Sequence, residues 1–262
     1  MLRASGERVA AQGRVAIVEQ WNDTAFARAW TDENTERPHS PLREEQLDLL
    51  MAMLRGHLAA TGARAQVLDA GCGAGIVAER VLRAMEDATV VGVDYSPPML
   101  AMARERLAPF AGRFALHRAD FETMTPDQLP GQPFGAAFAV QAIHNCSDEG
   151  KRRTFASIRA ALAPGGLFIL SDRIRLATPS LFPAYLALWD HLNTQYAAEG
   201  VAWRHDEGRT FAAHEQSVAE RGDMPGSIEQ NVLWLREAGF AEVAAAHVVG
   251  IRAVIVATTP RA

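Results

Sequence analysis

From Ala65 to Ser171, short apolar runs alternate with amphipathic stretches, and this alternation restricts the fold more than any other feature of the chain. Gln66 to Asp69 precedes Ile76 to Met85, and Thr89 to Asp94 precedes Pro98 to Leu107. Phe114 to His117 is followed by a turn-rich piece ending Leu129-Pro130-Gly131. Phe134 to Gln141 then leads into Glu149 to Leu162, and Gly166 to Ser171 closes the series. Strand patterns separated by helical ones define βαβ units, hence a parallel sheet with right-handed crossovers. The runs are apolar on both faces, as strands covered on both sides require. The expected class is α/β, a doubly wound and mostly parallel sheet.

Outside this block the pattern changes. Residues from Val9 to Gly62 read as helical, with Pro41 opening a segment whose leucines and methionines recur three and four apart. Ser40 is its expected N-cap and Gly62 its stop. The stretch around Trp21, Phe26 and Trp30 reads as a shorter helix, followed by a polar loop from Thr31 to Ser40. After Asp172 the chain becomes aromatic, with Phe182, Tyr185, Trp189, His191, Tyr196, Trp203, His205, Phe211 and His214. Ser227 to Ala238 reads as a helix ended by Gly239. Two final strands, Glu242 to Val248 and Arg252 to Ala257, are joined at Gly250-Ile251 and predict a hairpin with an antiparallel edge. This divides the chain into an N-terminal helical cap, residues 1–62, and a sheet domain, residues 63–262. A helical lid is inserted at about 175–226.

The densest signal is Val67-Leu68-Asp69-Ala70-Gly71-Cys72-Gly73-Ala74-Gly75, a strand entering a glycine-rich turn before a helix. Glycines there permit positive φ and close approach of a ligand to the backbone, and the helix start offers unpaired N–H groups. A dinucleotide fingerprint places its third glycine five residues after the first. That position is Ile76. An acid, Asp69, stands instead at the end of the strand, where it repels a pyrophosphate and suits a cation. Asp94 ends the second strand and can accept from both hydroxyls of a ribose. Asp120 follows the third. Three acids on one rim suit a nucleoside with amino and hydroxyl donors and no phosphates.

Together with Gly92-Val93-Asp94-Tyr95-Ser96-Pro97-Pro98-Met99-Leu100, Arg118-Ala119-Asp120-Phe121 and Pro164-Gly165-Gly166, this loop resembles class I S-adenosylmethionine-dependent methyltransferases. The resemblance runs from about Val67 to Asp172 and resumes weakly from Trp234 to Phe240. It implies a seven-stranded Rossmann-like sheet with an antiparallel last strand, and S-adenosylmethionine as cofactor. Asp69, Gly71 and Gly73 would lie at the methionine moiety and Asp94 at the ribose. Asp120 would take the adenine amino group, with the Phe121 backbone at a ring nitrogen. Tyr95 and Met99 would flank the adenosine, and Gln141 would face the methionyl end.

The sulfonium is already activated, so the enzyme mainly aligns nucleophile, methyl and sulfur. A protonated acceptor needs a base as well. His144, after the fourth strand, is the candidate, against the alternative that it is a structural histidine. The run Gln141-Ala142-Ile143-His144-Asn145-Cys146 lacks the Asp/Asn-Pro-Pro-aromatic run of enzymes acting on DNA exocyclic amines. It also lacks the Pro-Cys of cytosine C5 enzymes. With 26 Lys and Arg against 31 Asp and Glu, net −5, nucleic acid is disfavoured as acceptor.

Lys151 is the only lysine, so lysine chemistry runs through it or not at all. Its neighbours Asp148, Glu149, Arg152 and Arg153 suggest a solvated helix face. Neither a P-loop nor the Tyr-x-x-x-Lys pair of short-chain dehydrogenases is present. Cys72 and Cys146 have no metal or disulfide spacing, and the histidines define no metal site. The chain has no span-length apolar run and no signal-like start, so the expected location is the cytoplasm, with no membrane partner.

The expected reaction is methyl transfer to an O or N nucleophile of a small organic molecule. The aromatic insert, Trp21 and Trp30 would wall the acceptor pocket. Two rivals remain. One is an enzyme resembling carboxy-S-adenosylmethionine synthases, which would use Arg173, Arg175 or Arg221 on an anionic partner. The other is a module that binds the cofactor without turnover.

Overall fold

The computed structural model describes residues 20–36, 40–201 and 208–261. The expected helix before Gln20, together with Trp203 and His205, lies outside them. Among the described residues, the first two full helices are α1 (Thr24–Glu36) and α2 (Pro41–Thr61). The α/β block follows: β1 (Gln66–Ala70), α3 (Ile76–Ala84), β2 (Thr89–Asp94), α4 (Pro97–Leu107), β3 (Phe114–Arg118), β4 (Phe134–Val140), α5 (Asp148–Ala161) and β5 (Leu162–Arg173). The insert carries α6 (Phe182–Ala198) and α7 (Phe211–Glu220), and α8 (Ile228–Glu237), β6 (Glu242–Val249) and β7 (Arg252–Thr258) complete the chain.

The seven strands form one sheet in the order β3-β2-β1-β4-β5-β7-β6. Neighbours pair in parallel except that β7 runs against both β5 and β6. The terminal hairpin therefore lies at the sheet's edge as expected, with the reversed last strand one place in and β6 outermost. Alternation along each strand divides the core. Val67, Val90, Phe138, Ile169 and Val254 face a cluster that includes Leu50 and Leu54 of α2 and Val81 of α3. Leu68, Val91, Ala137, Phe168 and Ile255 face Phe155 and Ile158 of α5 and Trp234 and Leu235 of α8. Each fully buried leucine or phenylalanine contributes about 1.5–3 kcal/mol relative to exposure, so both faces must be covered.

Local chemistry fixes the helix ends. Ser96 caps α4 by accepting from the Met99 amide at 3.2 Å, and Ser147 caps α5 by accepting from Gly150 at 3.0 Å. Gly62 ends α2 in the left-handed conformation, φ 63°. Ser40 stands at the N-cap of α2 but its hydroxyl makes no capping bond. The polar stretch expected as a loop from Thr31 is helical as far as Glu36.

Two expectations change with packing. Leu47, Leu50, Met51, Leu54 and Leu58 of α2 belong to the sheet's own core, so a boundary at residue 62 cuts through that core. Among the described residues before it, Ala27 and Trp30 of α1, with Trp21 just ahead of that helix, pack against Ala74 and Met99 on the rim, which Arg43 of α2 also lines. Lys151, expected on a solvated face, is 1% exposed. It follows the apolar phase of α5, four residues before Phe155 and seven before Ile158, both fully buried.

Candidate active site

Strand order reverses between β1 and β4, and such a switch point leaves a crevice beyond the strands' carboxyl ends. The crevice is lined by Asp69, Gly71, Gly73, Asp94, Tyr95, Met99, Asp120, Phe121 and Gln141. All nine residues expected at the cofactor thus converge on one cleft. Trp21 and Trp30 line it too, together with Arg43, Glu122, Ala142, Asn145 and Cys146.

The three loop glycines do different work. Gly71 has φ +83°, and a Cβ there would stand 2.3 Å from the Ala142 Cβ and 3.5 Å from the Phe121 ring. It is required by chain meeting chain. Gly75, at φ +77°, lets α3 close on Ala103 and Leu107 of α4, each 3.3 Å from a hypothetical Cβ. Gly73, at φ +50°, has nothing within 4 Å of such a carbon, so its missing side chain leaves open space in the cleft.

Asp94 locks this loop in place. Its Oδ2 accepts from the Gly73 amide at 2.9 Å and its Oδ1 from Ser96 at 3.0 Å. Each carboxylate oxygen retains a lone pair for a ligand donor. Burial pushes the Asp94 carboxyl up, against the lowering effect of the Ser96, Gly73 and Tyr95 amides. Asp69 is 2% exposed, and its Oδ2 has no hydrogen-bond partner. Burial and then the charge of Asp94 push its carboxyl well up, with the Ala78 amide opposing.

Asp120 accepts from the Glu122 amide at 3.0 Å, bending the chain after β3 over the cleft. Met99 is buried against Ala27 and Ala74, 3.8 Å from the Thr31 hydroxyl. Gln141 holds φ +50°, and its amide donates to the Ser171 carbonyl at 2.9 Å. A non-glycine residue in this region costs of order 1–3 kcal/mol and marks functional loops.

His144 does not line the cleft. It is 8% exposed, with Nδ1 at 2.5 Å from Asp172 Oδ1 and Nε2 at 3.6 Å from Asp223 Oδ1. Its own amide donates to Asp172 Oδ2, and its carbonyl accepts from Met224. Both ring nitrogens thus face carboxylates, and the ring ties the loop after β4 to β5 and to the end of the insert. Arg173 and Arg221 approach Asp223 at 3.8 and 3.0 Å, and Arg175 pairs with Glu215 at 3.0 Å. None of these three arginines lines the cleft. The described aromatics of the insert also turn away. Phe182, Trp189 and Phe211 pack on one another and on Ile251, with ring centroids 5.8 Å apart for Phe182–Trp189 and Phe182–Phe211.

Arg43 and Glu122 were not expected at the site. A signal existed for the first: Arg43 shares the helical phase of Leu47, Leu50 and Leu54, and it is 8% exposed. A charge on a buried stripe requires a polar destination. Glu122 accepts from the Ser147 amide at 2.7 Å and the Ser147 hydroxyl at 2.5 Å, a contact 25 residues apart that no local pattern reveals. Among the described residues no group of three or more His, Cys, Asp or Glu could hold a metal ion.

An orphaned buried carboxylate oxygen, an open cradle at Gly73, four acids and one guanidinium suit a ligand that is cationic, rich in donors and ends in a carboxylate. The fold and the cleft therefore define a doubly wound protein that binds an S-adenosylmethionine-like nucleoside. A methyltransferase-domain family matches residues 67–166. Magnesium-protoporphyrin O-methyltransferase of Rhodobacter capsulatus is 29% identical over 168 residues, 59% of this chain and 71% of that protein. The ubiquinone/menaquinone biosynthesis C-methyltransferase of Syntrophotalea carbinolica is 30% identical over 179 residues, covering 66% and 70%. The solved structure of an O-methyltransferase family protein from Burkholderia thailandensis superposes with TM-score 0.56 at 16% identity, over 84% of this chain and 59% of that one. The chain belongs to the S-adenosylmethionine-dependent methyltransferases, and S-adenosylmethionine is its cofactor.

Proposed function

We propose that the chain transfers a methyl group from S-adenosylmethionine to an O or N nucleophile of a small organic molecule. The observation that carries this reading is the single cleft in which the cofactor-binding acids and loop meet an apolar wall of Trp21, Trp30, Ala142 and Cys146. When bound, the cofactor supplies a methyl already activated by its sulfonium. Asp94 and Asp120 would hold its hydroxyls and adenine amine, Asp69 its ammonium, and Arg43 its carboxylate. The loop after β4 would exclude water beside the reacting atoms.

His144 supports that loop as a positioning residue, because Asp172 and Asp223 occupy the directions through which it would take a proton. The acidic rim of Asp69, Asp94, Asp120 and Glu122 repels a phosphate backbone, which favours a small acceptor over nucleic acid. The cleft's one lining cation among the described residues is Arg43, and Arg173, Arg175 and Arg221 are engaged elsewhere. That arrangement favours methyl transfer over a carboxylated-cofactor chemistry. No described helix is long and apolar enough to cross a membrane, and Cys72 and Cys146 are buried thiols with no disulfide between them, which suits a reducing cytoplasm.

The test is incubation with S-adenosylmethionine labelled at the methyl group and a panel of phenols, carboxylic acids and amines. Label moving to a panel member at a rate that Asp94→Ala abolishes supports the reading. Label moving only to carbon acceptors or to protein sinks it.

A further inference from the structure

The chain's one lysine sits in a place where its charge is costly. Lys151 lies in the first turn of α5, 1% exposed. Its Nζ donates to the Cys146 carbonyl at 2.5 Å, stands 3.5 Å from Asp148 Oδ1, and lies 5.7 Å from the centroid of the Trp234 ring on α8. The charged and titratable groups around it are Asp148 on its own helix, the Cys146 thiol, and Asp172 at the end of β5. Arg152 covers the same indole at 5.4 Å and is paired with Glu237.

Burial lowers the Lys151 pKa, with Asp148 and Cys146 opposing. Filling this space with an apolar side chain of similar volume is often neutral or stabilising, so packing alone gives no reason for an ammonium. What the ammonium adds is a bond to a carbonyl on the cleft loop. Asn145 and Cys146 line the cleft, and Glu122 holds the next residue, Ser147, from the opposite side. Ala142, at the start of the loop, meets Gly71 so closely that a Cβ there would overlap it. A shift of one loop therefore displaces the other.

We propose that Lys151 is a positioning residue of the cofactor cleft, pinning the Cys146 carbonyl so that residues 142–146 stand as a fixed wall against the glycine loop. The inference rests on the cofactor site and not on the identity of the acceptor. A purely structural lysine would lower stability when replaced and leave the affinity of the folded protein for cofactor unchanged. A wall-setting lysine changes that affinity.

The probe is S-adenosylhomocysteine, titrated calorimetrically into the wild-type chain, Lys151→Met and the control Arg152→Met. A hydrogen bond to a charged donor is strong enough that Lys151→Met should weaken binding about tenfold or more, while Arg152→Met stays within twofold of wild type. Equal affinities for wild type and Lys151→Met overturn the proposal. A wild type that binds no S-adenosylhomocysteine removes the cofactor reading as well, so the two failures are distinct.

Should Lys151→Met not fold, the unsubstituted protein answers through its single lysine. Acetylation of Lys151, followed by mass spectrometry, should outpace the slowest hydrogen exchange of the β4 and β5 amides. It should also slow at least about tenfold at ligand concentrations far above Kd. Acetylation no faster than those core amides overturns the proposal, as does acetylation indifferent to ligand.

Discussion

Gly71 and Gly73 stand two residues apart in one loop, and the structure separates what an added methyl does at each. At Gly71→Ala the new Cβ would lie 2.3 Å from the Ala142 Cβ, with the Phe121 ring at 3.5 Å. Ordinary contact begins near 3.4 Å, so the two loops must part by about an ångström, against an overpacking cost of about 1–3 kcal/mol. Adopting φ +83° with a side chain adds about 1–2 kcal/mol. A combined loss near 3 kcal/mol lowers Tm by roughly 6–12 °C for a chain of this size. At Gly73→Ala there is no clash, only the φ of +50°, so the loss is about 1 kcal/mol and Tm falls by roughly 2–4 °C.

The order reverses when the measurement relates binding to fold damage. The Gly73 methyl enters the space left for the ligand, so S-adenosylhomocysteine binding should weaken more than tenfold in a variant that is nearly as stable as wild type. Differential scanning calorimetry and isothermal titration, run on both variants, decide it. Equal Tm losses, or a Gly73→Ala variant that binds like wild type, would refute the division of labour between the two glycines.

Asp69 yields a pH prediction. Burial holds its folded carboxyl well above the ordinary aspartate value of 3.8, so the folded state binds more protons than the unfolded one between the two values. Its contribution to stability is therefore fully present below 3.8 and lost as pH rises through the raised value. Asp69→Asn should raise the Tm of the apoprotein near pH 8 and flatten its pH dependence, while weakening S-adenosylhomocysteine; a lower Tm contradicts the assignment. His144→Ala leaves Asp172 and Asp223 buried without the imidazole between them, a loss of about 3 kcal/mol or more that thermal unfolding will show. If His144 positions and does not take a proton, the pH profile of methyl transfer keeps its shape in His144→Asn. Arg43→Met should weaken S-adenosylhomocysteine but not methylthioadenosine, which has no carboxylate. Parallel losses for both ligands would place Arg43 elsewhere.

The fold was legible where local pattern and burial coincide. Strands apolar on both faces, such as Val67–Leu68 and Val90–Val91, announce a sheet covered twice, and the spacing between them leaves room only for crossover helices. The convergence of the three acids was legible for the same reason: Asp69 lies at the end of β1, Asp94 ends β2 and Asp120 follows β3 by two residues, so the topology alone brings them to one rim. The other half depended on contacts between distant segments. The aromatic composition of the insert did not say that Phe182, Trp189 and Phe211 would pack on one another. The basic and acidic residues around Lys151 obscured its phase with Phe155 and Ile158, as the helix of α2 obscured that of Arg43. In both helices the informative mark was a charge lying on the buried stripe, which pattern reading treats as an exception and packing treats as a destination.

Those exceptions share one region. Asp69 holds a carboxylate oxygen without a partner, Gln141 holds a positive φ, and Lys151 holds a buried ammonium. Each is unfavourable in the isolated chain, and each borders or supports the cleft. Lys151 lies beside Phe155, Ile158 and Trp234 of one sheet-face core and reaches the cleft through the Cys146 carbonyl, so part of the cost sits where a ligand can offset it. A cationic nucleoside would supply the missing partner of Asp69, and its contact with the loop after β4 would favour the conformation that Gln141 and Lys151 maintain. Ligand binding would then stabilise the fold through the same groups that destabilise the apoprotein, by about 2.7 kcal/mol when free ligand is a hundred times Kd. Replacing all three with residues suited to the empty protein would trade that response for stability, leaving a firmer fold with a weaker site.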